Sequence, residues 1–198
     1  MDSRTRLVEA TQDLLWEQGY SATSPKDIMR RSGAGQGSMY HHFTNKQELA
    51  VVALECSAQS MRHDAEKLLA TDGSAYEIAT AYLRRQRDVL KGCRMGRMTF
   101  DADVLNTPEL IEPVKRTFVW LLEALTVLFE RGRDQGEFAA DIDARNLASL
   151  VVATVQGGYV LARATRDTDA FDAAVEGAAA LLRKATVPLT TEVSDHSE

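Results

Sequence analysis

Apolar residues recur every three or four positions along most of the chain, which is the spacing of amphipathic helices. Near the N-terminus, Leu7, Leu14 and Leu15 fall on one face of a helix predicted over residues 3–18. No segment shows the period-two alternation of a strand, and no internal repeat is visible. The pattern predicts an all-α protein with an N-terminal head of three helices and a C-terminal body of about six.

Two short helices joined by a tight turn are predicted directly after the first helix. Ser24 and Asp27 form a variant of the capping box, and Pro25 occupies the first helical position, where its missing N–H costs nothing. Gly33 can supply the left-handed backbone that stops a helix. The next helix is predicted over residues 35–43. Two helices with a short glycine-containing turn between them form a helix-turn-helix.

Few side chains of the second helix are apolar, so this helix can contribute little to a hydrophobic core. Met39 and Phe43 are four residues apart, so they share one face and can pack inward. In a helix-turn-helix, the second helix enters the major groove of DNA by its N-terminal end. At that end, the Gln36 amide can read an adenine or guanine edge, Gly37 lets the backbone approach, and Ser38 can bond a base or a phosphate.

The body is predicted to begin with a long helix that links it to the head. Thr44 and Gln47 resemble a second capping box, from which a helix of roughly 25 residues would lead to Leu69, longer than the mean helix. Pro113 would kink a later helix or mark its start. Further helices are predicted over about residues 75–90, 100–105, 108–135, 144–162 and 169–182, with an irregular segment over residues 92–98.

Composition and charge narrow the function classes. The 198 residues carry 23 basic and 29 acidic side chains, and this net charge of −6 argues against a non-specific nucleic-acid coat. The whole imbalance lies beyond residue 50, because residues 1–50 hold six basic and six acidic side chains. A neutral head on an acidic body suits site-specific DNA binding with limited phosphate contact.

The polar start of the chain, the interrupted apolar runs and the low cysteine content together predict the cellular location. The chain begins with charged and polar residues rather than a signal peptide, and its longest apolar runs contain Glu123, Arg131 or Gln156. Two cysteines make no disulfide framework and fit a reducing compartment. These features predict a cytoplasmic protein without a membrane-spanning segment.

From about Arg6 to Leu54, the sequence resembles the DNA-binding domain of the TetR family of transcriptional regulators. The matching residues are Gly19-Tyr20, Ala22-Thr23, Asp27-Ile28, Ser32-Gly33, the run from Gly37 to Phe43, and the run from Asn45 to Leu49. The resemblance implies a two-fold dimer that presents two recognition helices to successive major grooves of palindromic double-stranded DNA. It also implies a repressor that a small-molecule effector releases from its operator.

The recognition helix and the resemblance together indicate nine DNA contacts. Lys46 matches the family lysine that binds a backbone phosphate beside a helix N-terminus, and Lys26 and Thr23 are similar phosphate candidates. Tyr40 and His41 would contact phosphates, with a thymine methyl as the alternative for Tyr40. The candidates are Thr23, Lys26, Gln36, Gly37, Ser38, Tyr40, His41, His42 and Lys46.

The two C-terminal helices are apolar over more than one face and rich in small residues, notably Gly157-Gly158 and 178–180. Two-sided helices at a chain end predict a homodimer interface, and in TetR-like proteins these helices pair as a four-helix bundle. The alternative is that the first of them is simply central in the body. The predicted domains are a DNA-binding domain (1–48), a ligand-binding and dimerisation domain (49–186) and a disordered tail (187–198).

A ligand cavity is expected between the helices of the body, with a few polar groups to orient the ligand. Gln156 or Tyr159 could supply such a contact. The alternative for each candidate is ordinary core packing. The predicted lining residues are Met61, Tyr82, Phe100, Phe118, Trp120, Leu121, Gln156 and Tyr159.

Two other functions stay open. Cys93 lies among Lys91, Arg94 and Arg97, and cationic neighbours favour a reactive thiolate, so a cysteine-based redox-sensing regulator is an alternative to an ordinary loop cysteine. Cys56 is predicted to be a core residue. The other alternative is a dimeric module that binds a small molecule and another protein and has no DNA role.

Enzymatic and metal chemistry find little support in the sequence. Asp101 and Asp103 flank a short segment, yet no nucleophile, base and orienting group share a recognisable motif, so neither catalysis nor a cofactor is predicted. The neighbouring His41 and His42 point about 100° apart on a helix, which prevents easy chelation of one ion, so no metal site is predicted. For His42, structural packing is an equal alternative to DNA contact.

Overall fold

The computed structural model describes residues 2–187, and these residues form ten α-helices and no strand. The all-α prediction is therefore confirmed, and the body has seven helices rather than about six. In chain order, the helices are α1 (Ser3–Gln18), α2 (Pro25–Ser32), α3 (Gln36–His42), α4 (Lys46–Leu69), α5 (Ala75–Arg84), α6 (Arg94–Met98), α7 (Ala102–Asn106), α8 (Pro108–Asp134), α9 (Ala144–Thr165) and α10 (Asp169–Ala185).

Capping chemistry sets two predicted helix starts. The Ser24 hydroxyl accepts a hydrogen bond from the Asp27 amide at 3.2 Å, and the Asp27 carboxylate accepts one from the Ser24 amide at 3.1 Å, which completes the capping box of α2. Gly33 follows α2 with a φ of 67°, in the left-handed region that favours glycine. Ser74 and Glu77 form the capping box of α5. Both starts confirm the sequence prediction.

The start of α4 differs from the prediction. The Asn45 side chain, not that of Thr44, accepts the hydrogen bond from the Glu48 amide, at 2.9 Å. The Glu48 carboxylate in turn accepts a hydrogen bond from the Thr44 amide at 2.7 Å. The predicted box of Thr44 with Gln47 is therefore wrong, because asparagine followed by glutamate three residues later offers a competing cap one position further on.

The end of α5 also differs, because an arginine terminates it. The helix stops at Arg84 instead of continuing to about residue 90. The Arg87 guanidinium donates hydrogen bonds to the carbonyl oxygens of Tyr82, Leu83 and Arg85. These carbonyls would otherwise need the amides of a further helical turn.

Two further differences lie after α5. The segment predicted to be irregular contains α6, whose first turn is capped by Cys93: its Sγ accepts a hydrogen bond from the Gly96 amide at 3.2 Å. Pro113 lies inside α8, which begins at Pro108, so Pro113 does not mark the start of that helix. The additional helix α6 accounts for the larger helix count of the body.

Two hydrophobic cores organise the chain. One core lies among α4, α5, α8, α9 and α10. The other joins α1, α2 and α3 to the first half of α4. This second core also takes side chains from α6, α7 and the start of α8, namely Met95, Met98, Val104, Leu110 and Val114. The head is therefore packed directly on elements of the body, and the predicted boundary at residue 48 stays a prediction.

The sequence predicts no segment that could span a membrane. By length and composition alone, however, α9 is long and apolar enough to cross one. Eight of its residues are nevertheless buried within this fold. The core helix of a soluble protein passes the same test, so one such helix is weak evidence for a membrane span.

The described chain ends against the loop after α8. Phe138 and Thr186 form an isolated antiparallel bridge, and the Val187 amide donates a hydrogen bond to the Glu137 carbonyl at 2.8 Å. Apart from Val187, the tail predicted over residues 187–198 lies outside the described residues.

Candidate nucleic-acid interface and ligand cavity

The recognition helix α3 buries its apolar anchor and exposes its polar side chains. Met39 is fully buried and Ser38 is half-buried. A Cβ added at Gly37 would meet no atom within 4 Å, so this face of the helix is open. Tyr40 is 49% exposed, an unusual position for a large aromatic ring on a short helix. The exposed candidate contacts are Lys26 on α2 and Gln36, Gly37, Tyr40 and His41 on α3.

The C-terminal end of α3 is fixed on α1. His42 Nε2 lies 2.9 Å from Ser3 Oγ, and the Arg4 guanidinium lies 5.5 Å from the centre of the Phe43 ring. His42 is half-buried in this arrangement. The packing role that the sequence left open is therefore present, while a DNA contact by His42 stays a prediction.

Two predicted phosphate ligands are engaged inside the head. Thr23 is 2% exposed and its hydroxyl donates to the Gly19 carbonyl at 2.6 Å, so this side chain has an internal partner and its phosphate contact stays a prediction. The Lys46 ammonium donates to the carbonyl oxygens of Tyr20 and Thr23 at 3.1 and 3.0 Å. Burial lowers the pKa of Lys46. Lys46 thus ties the loop before α2 to α4, and its phosphate contact stays a prediction.

A cavity of about 500 Å³ lies in the body and is lined by side chains of α4, α5, α8, α9 and the loop before α6. Its volume suits a drug-sized ligand. The structure brings together six of the eight predicted lining residues, which come from four different helices. They are Met61, Tyr82, Phe118, Leu121, Gln156 and Tyr159. We call this space the central cavity.

The other two predicted lining residues lie elsewhere. Phe100 is 77% exposed in the turn between α6 and α7, at the edge of an adjoining cavity of about 330 Å³. Trp120 faces a groove of about 880 Å³ between α4 and α8, where the Arg62 guanidinium lies 4.8 Å from its ring centre. Neighbouring positions on a helix are about 100° apart, so Trp120 cannot share the direction of Leu121. Cys56 is exposed in the same groove, which corrects its predicted core position.

Several central-cavity residues were missed by sequence reasoning. Trp16 comes from α1 in the head, and Cys93, which the sequence predicts to be an ordinary loop cysteine, also lines the cavity. Arg85 and Arg87 also line the cavity. The signal that could have found them is the basic run Arg84-Arg85-Gln86-Arg87 in an otherwise acidic body.

Polar groups of the central cavity are positioned by close packing. Burial raises the pKa of Tyr159 to about 12, so its hydroxyl stays protonated at neutral pH and can donate a hydrogen bond. A Cβ added at Gly96 would overlap Gln156 Oε1, so glycine leaves room for the Gln156 amide beside α6. Tyr159 and Gln156 thus offer a donor and an amide from α9.

The central cavity is joined to the head through Trp16. Its indole Nε1 donates a hydrogen bond to the Gly92 carbonyl at 2.9 Å. The Lys91 ammonium and the Arg94 guanidinium lie 3.9 and 4.1 Å from the centre of the same ring system. Because Trp16 belongs to α1, one side chain of the head forms part of the cavity wall.

A second contact joins head and body at Asp101. The Ser21 amide and hydroxyl donate to its carboxylate at 2.9 and 2.6 Å, and the same carboxylate caps α7. Partial burial alone would raise the pKa of Asp101, but the hydrogen bonds from Ser21, together with backbone hydrogen bonds from Val104 and Tyr20, outweigh burial and lower it. We call this contact the Ser21–Asp101 clamp.

Replacing Asp101 with alanine is expected to lower the free energy of unfolding by about 1 kcal/mol at pH 7, because a helix cap and the clamp are lost together. The clamp lowers the folded-state pKa, so its stabilisation is present above the unfolded pKa and disappears as the pH falls through the folded value. The difference between parent and variant should therefore shrink below about pH 4. Urea unfolding at one protein concentration measures it.

The matched control for this prediction is Asp72→Ala, which removes an exposed carboxylate between α4 and α5. It should leave the unfolding free energy within about 0.5 kcal/mol of the parent. Equal destabilisation by both variants, or a difference that grows at acid pH, would contradict the role given to Asp101.

An apolar surface runs along α9 and α10. Leu161 is 51% exposed and Leu181 is 57% exposed, high values for leucine. Both line a shallow groove of about 370 Å³ together with Gly157 and Gly177. A Cβ added at either glycine would meet no atom within 4 Å, so another helix has room to approach here.

An exposed recognition helix on a capped helix-turn-helix, attached to a helical body with a cavity, defines a helix-turn-helix DNA-binding regulator. The family model for bacterial regulatory proteins of the tetR family matches residues 7–53. The model for the tetracyclin repressor-like C-terminal domain matches residues 73–178. The chain belongs to the TetR family of transcriptional regulators, which are not enzymes; dimerisation and ligand binding are typical of the family.

Known proteins of similar length share this architecture. The HTH-type transcriptional regulator YxaF of Bacillus subtilis is 24% identical over 190 residues, which cover 92% of this chain and 96% of that protein. A TetR transcriptional regulator from Chloroflexus aurantiacus is 27% identical, with a TM-score of 0.83 over 93% of this chain and 96% of its own. The reduced form of Escherichia coli NemR is 19% identical, with a TM-score of 0.80 over 94% and 98%.

Proposed function

We propose that the protein is a ligand-controlled transcriptional repressor. A homodimer formed through α9 and α10 binds a palindromic operator with α3 of each chain in the major groove, and a small molecule in the central cavity releases it. The observation that carries the proposal is Trp16, a head side chain that forms part of the cavity wall and bonds to Gly92. A ligand that moves this wall acts directly on α1.

The DNA contacts divide into two kinds. Gln36, Gly37 and Ser38, at the start of α3, face the bases, whereas Lys26 and His41 contact the phosphate backbone. Tyr40 lies between the two groups and can reach either a phosphate or a thymine methyl. Because such a protein acts on the chromosome, we place it in the bacterial cytoplasm.

The test measures, by fluorescence anisotropy at two salt concentrations, how tightly the purified full-length protein binds DNA from the region upstream of its own gene. A scrambled duplex of equal length is the control. We expect nanomolar, salt-sensitive binding to the upstream DNA and at least a thousandfold weaker binding to the scrambled duplex. Equal binding to both, or failure to select any site from a genomic library, would favour a dimeric module without a DNA role.

A cysteine-based redox-sensing regulator is the second candidate, because Cys93 lines both the central cavity and the adjoining one. Its Sγ also caps α6, so modification of the sulfur would disturb the helix that packs on the head. In this case, oxidation, not ligand binding, would release the operator.

The two candidates are separated by Cys93→Ser with Cys56→Ser as the matched control, since the chain contains two cysteines. For a ligand-controlled repressor, we expect both variants to bind operator DNA like the parent before and after hydrogen peroxide treatment. Loss of binding after peroxide in the parent and in Cys56→Ser, but not in Cys93→Ser, would instead establish the redox sensor.

A further inference from the structure

The wall of the central cavity is unusually cationic for a protein of net charge −6. Three half-buried arginines line it: Arg85, Arg87 and Arg94. The carboxylates that also border it, Asp64 and Asp88, are both exposed. Positive charge is therefore held in the wall, whereas negative charge stays in water, where it is screened.

These arginines have little internal neutralisation. Arg94 lies 3.5 Å from Asp13, whereas Arg85 and Arg87 form no ion pair within residues 2–187. Arg85 instead lies over the Tyr82 ring, with its guanidinium carbon 4.7 Å from the ring centre. Two guanidinium groups are thus held beside one cavity, and no carboxylate forms an ion pair with either of them within residues 2–187.

Arg87 is fixed in place by backbone and aromatic contacts. Its terminal nitrogens donate to three carbonyl oxygens, and its Nε is buried without an acceptor among residues 2–187. Burial lowers the pKa of Arg87, because its guanidinium cation has lost part of its contact with water. An anion in the cavity would recover part of that lost solvation.

Apart from Asp64 and Asp88, most of the remaining lining side chains are apolar or can donate a hydrogen bond. Leu68, Phe118, Leu121 and Val155 provide apolar contacts. The protonated Tyr159 hydroxyl provides a donor beside them. The adjoining cavity shares Cys93, Gln156 and Tyr159 with the central one and adds two further arginines, Arg97 and Arg163, beside one carboxylate, that of Asp101.

We infer that the effector is an amphipathic organic anion, with a carboxylate or sulfonate group beside Arg85 and Arg87 and an apolar body against α8 and α9. The inference rests on the proposed function, because it names the class of molecule that fills the proposed effector cavity. A neutral molecule of the same shape would leave the two guanidinium groups without a counter-charge. A cation would be repelled by them.

The test uses two fluorescent probes that share one hydrophobic body. 1-Anilinonaphthalene-8-sulfonate carries an anionic group, and N-phenyl-1-naphthylamine lacks it. Each is titrated into the full-length parent, Arg85→Gln and the matched control Arg131→Gln, which changes an exposed arginine on α8 away from the cavity. Charge-assisted hydrogen bonds predict that the parent binds the anion at least about tenfold more tightly than the neutral probe.

Arg85→Gln is expected to weaken binding of the anionic probe by about tenfold and to change binding of the neutral probe less than about twofold. Arg131→Gln should change neither. Equal affinity of the parent for both probes, or equal loss of both in Arg85→Gln, would overturn the inference. If Arg85→Gln melts earlier than the parent by circular dichroism, Arg85→Met, which keeps an unbranched side chain beside the Tyr82 ring, takes its place with the same expected results.

Operator binding in the same samples separates this inference from the proposed function. If the anionic probe binds in an arginine-dependent way but does not change operator affinity, the ligand class is supported. The claim that such an anion releases the operator then fails. Arginine-dependent anion binding by a protein that binds no operator also supports the ligand class, and the repressor proposal alone fails. Operator binding without preference for the anionic probe overturns the ligand class alone.

Discussion

Replacing Gln36 and Tyr40 together with alanine is expected to weaken operator binding by about 100-fold or more while the fold stays intact. Each base contact contributes about 1–3 kcal/mol, and the two side chains lie on the exposed face of α3. Tyr40 is already 49% exposed, so its truncation removes little core packing. Anisotropy titration on the operator measures the loss, and circular dichroism checks the fold.

Two further variants make this result specific. Gln59→Ala removes an exposed glutamine from α4, away from α3, and should bind like the parent. Lys26→Ala should weaken binding to operator and scrambled DNA alike and reduce the salt slope by about one, the signature of a phosphate contact. Unchanged operator affinity in the double variant would show that α3 is not the reading helix.

The head was predictable because its signals are local. Ser24 and Asp27 lie within one helical turn, and Gly33 marks the stop of that helix without help from the rest of the chain. The spacing of Met39 and Phe43 likewise identified the inward face of α3, and both residues are buried. The candidate recognition residues of α3 are the remaining ones, since the side chains that do not pack inward are available for DNA.

The contacts between head and body were not predictable, because they join distant parts of the chain. Trp16 and Gly92 are 76 residues apart, and Ser21 and Asp101 are 80 apart. The spacing of apolar residues in these segments gives no indication of such a pair. The same limit explains Lys46, whose position fits a phosphate ligand but whose ammonium bonds to carbonyl oxygens of a loop more than 20 residues away.

The cavity was predictable in outline, because the apolar face of an amphipathic helix points inward, towards the core or a space within it. The rotation of each helix decides which. Leu121 and Trp120 are neighbours on α8, yet one lines the central cavity and the other an outer groove. The early end of α5 was hidden for a different reason: Arg87 replaces a helical turn by side-chain hydrogen bonds to three carbonyls.

Replacing Leu161 and Leu181 together with glutamate is expected to convert a homodimer into folded monomers and to weaken operator binding by more than about 100-fold. Each leucine is more than half exposed in one chain, so the monomer can keep a glutamate there in contact with water. In a dimer through α9 and α10, the same positions would bury four carboxylates, which is strongly unfavourable. Sedimentation velocity measures the assembly state.

The loss of DNA affinity follows from the geometry of two linked half-sites. In a dimer, binding of one recognition helix places the second near its own half-site, so the second contact is effectively intramolecular. A monomer loses that advantage even though α3 is unchanged. Leu105→Glu is the matched control, because Leu105 is 51% exposed on α7, apart from the groove of α9 and α10. A double variant that still sediments as a dimer would place the interface on another face, and a parent that sediments as a monomer without DNA would remove the homodimer from the proposal.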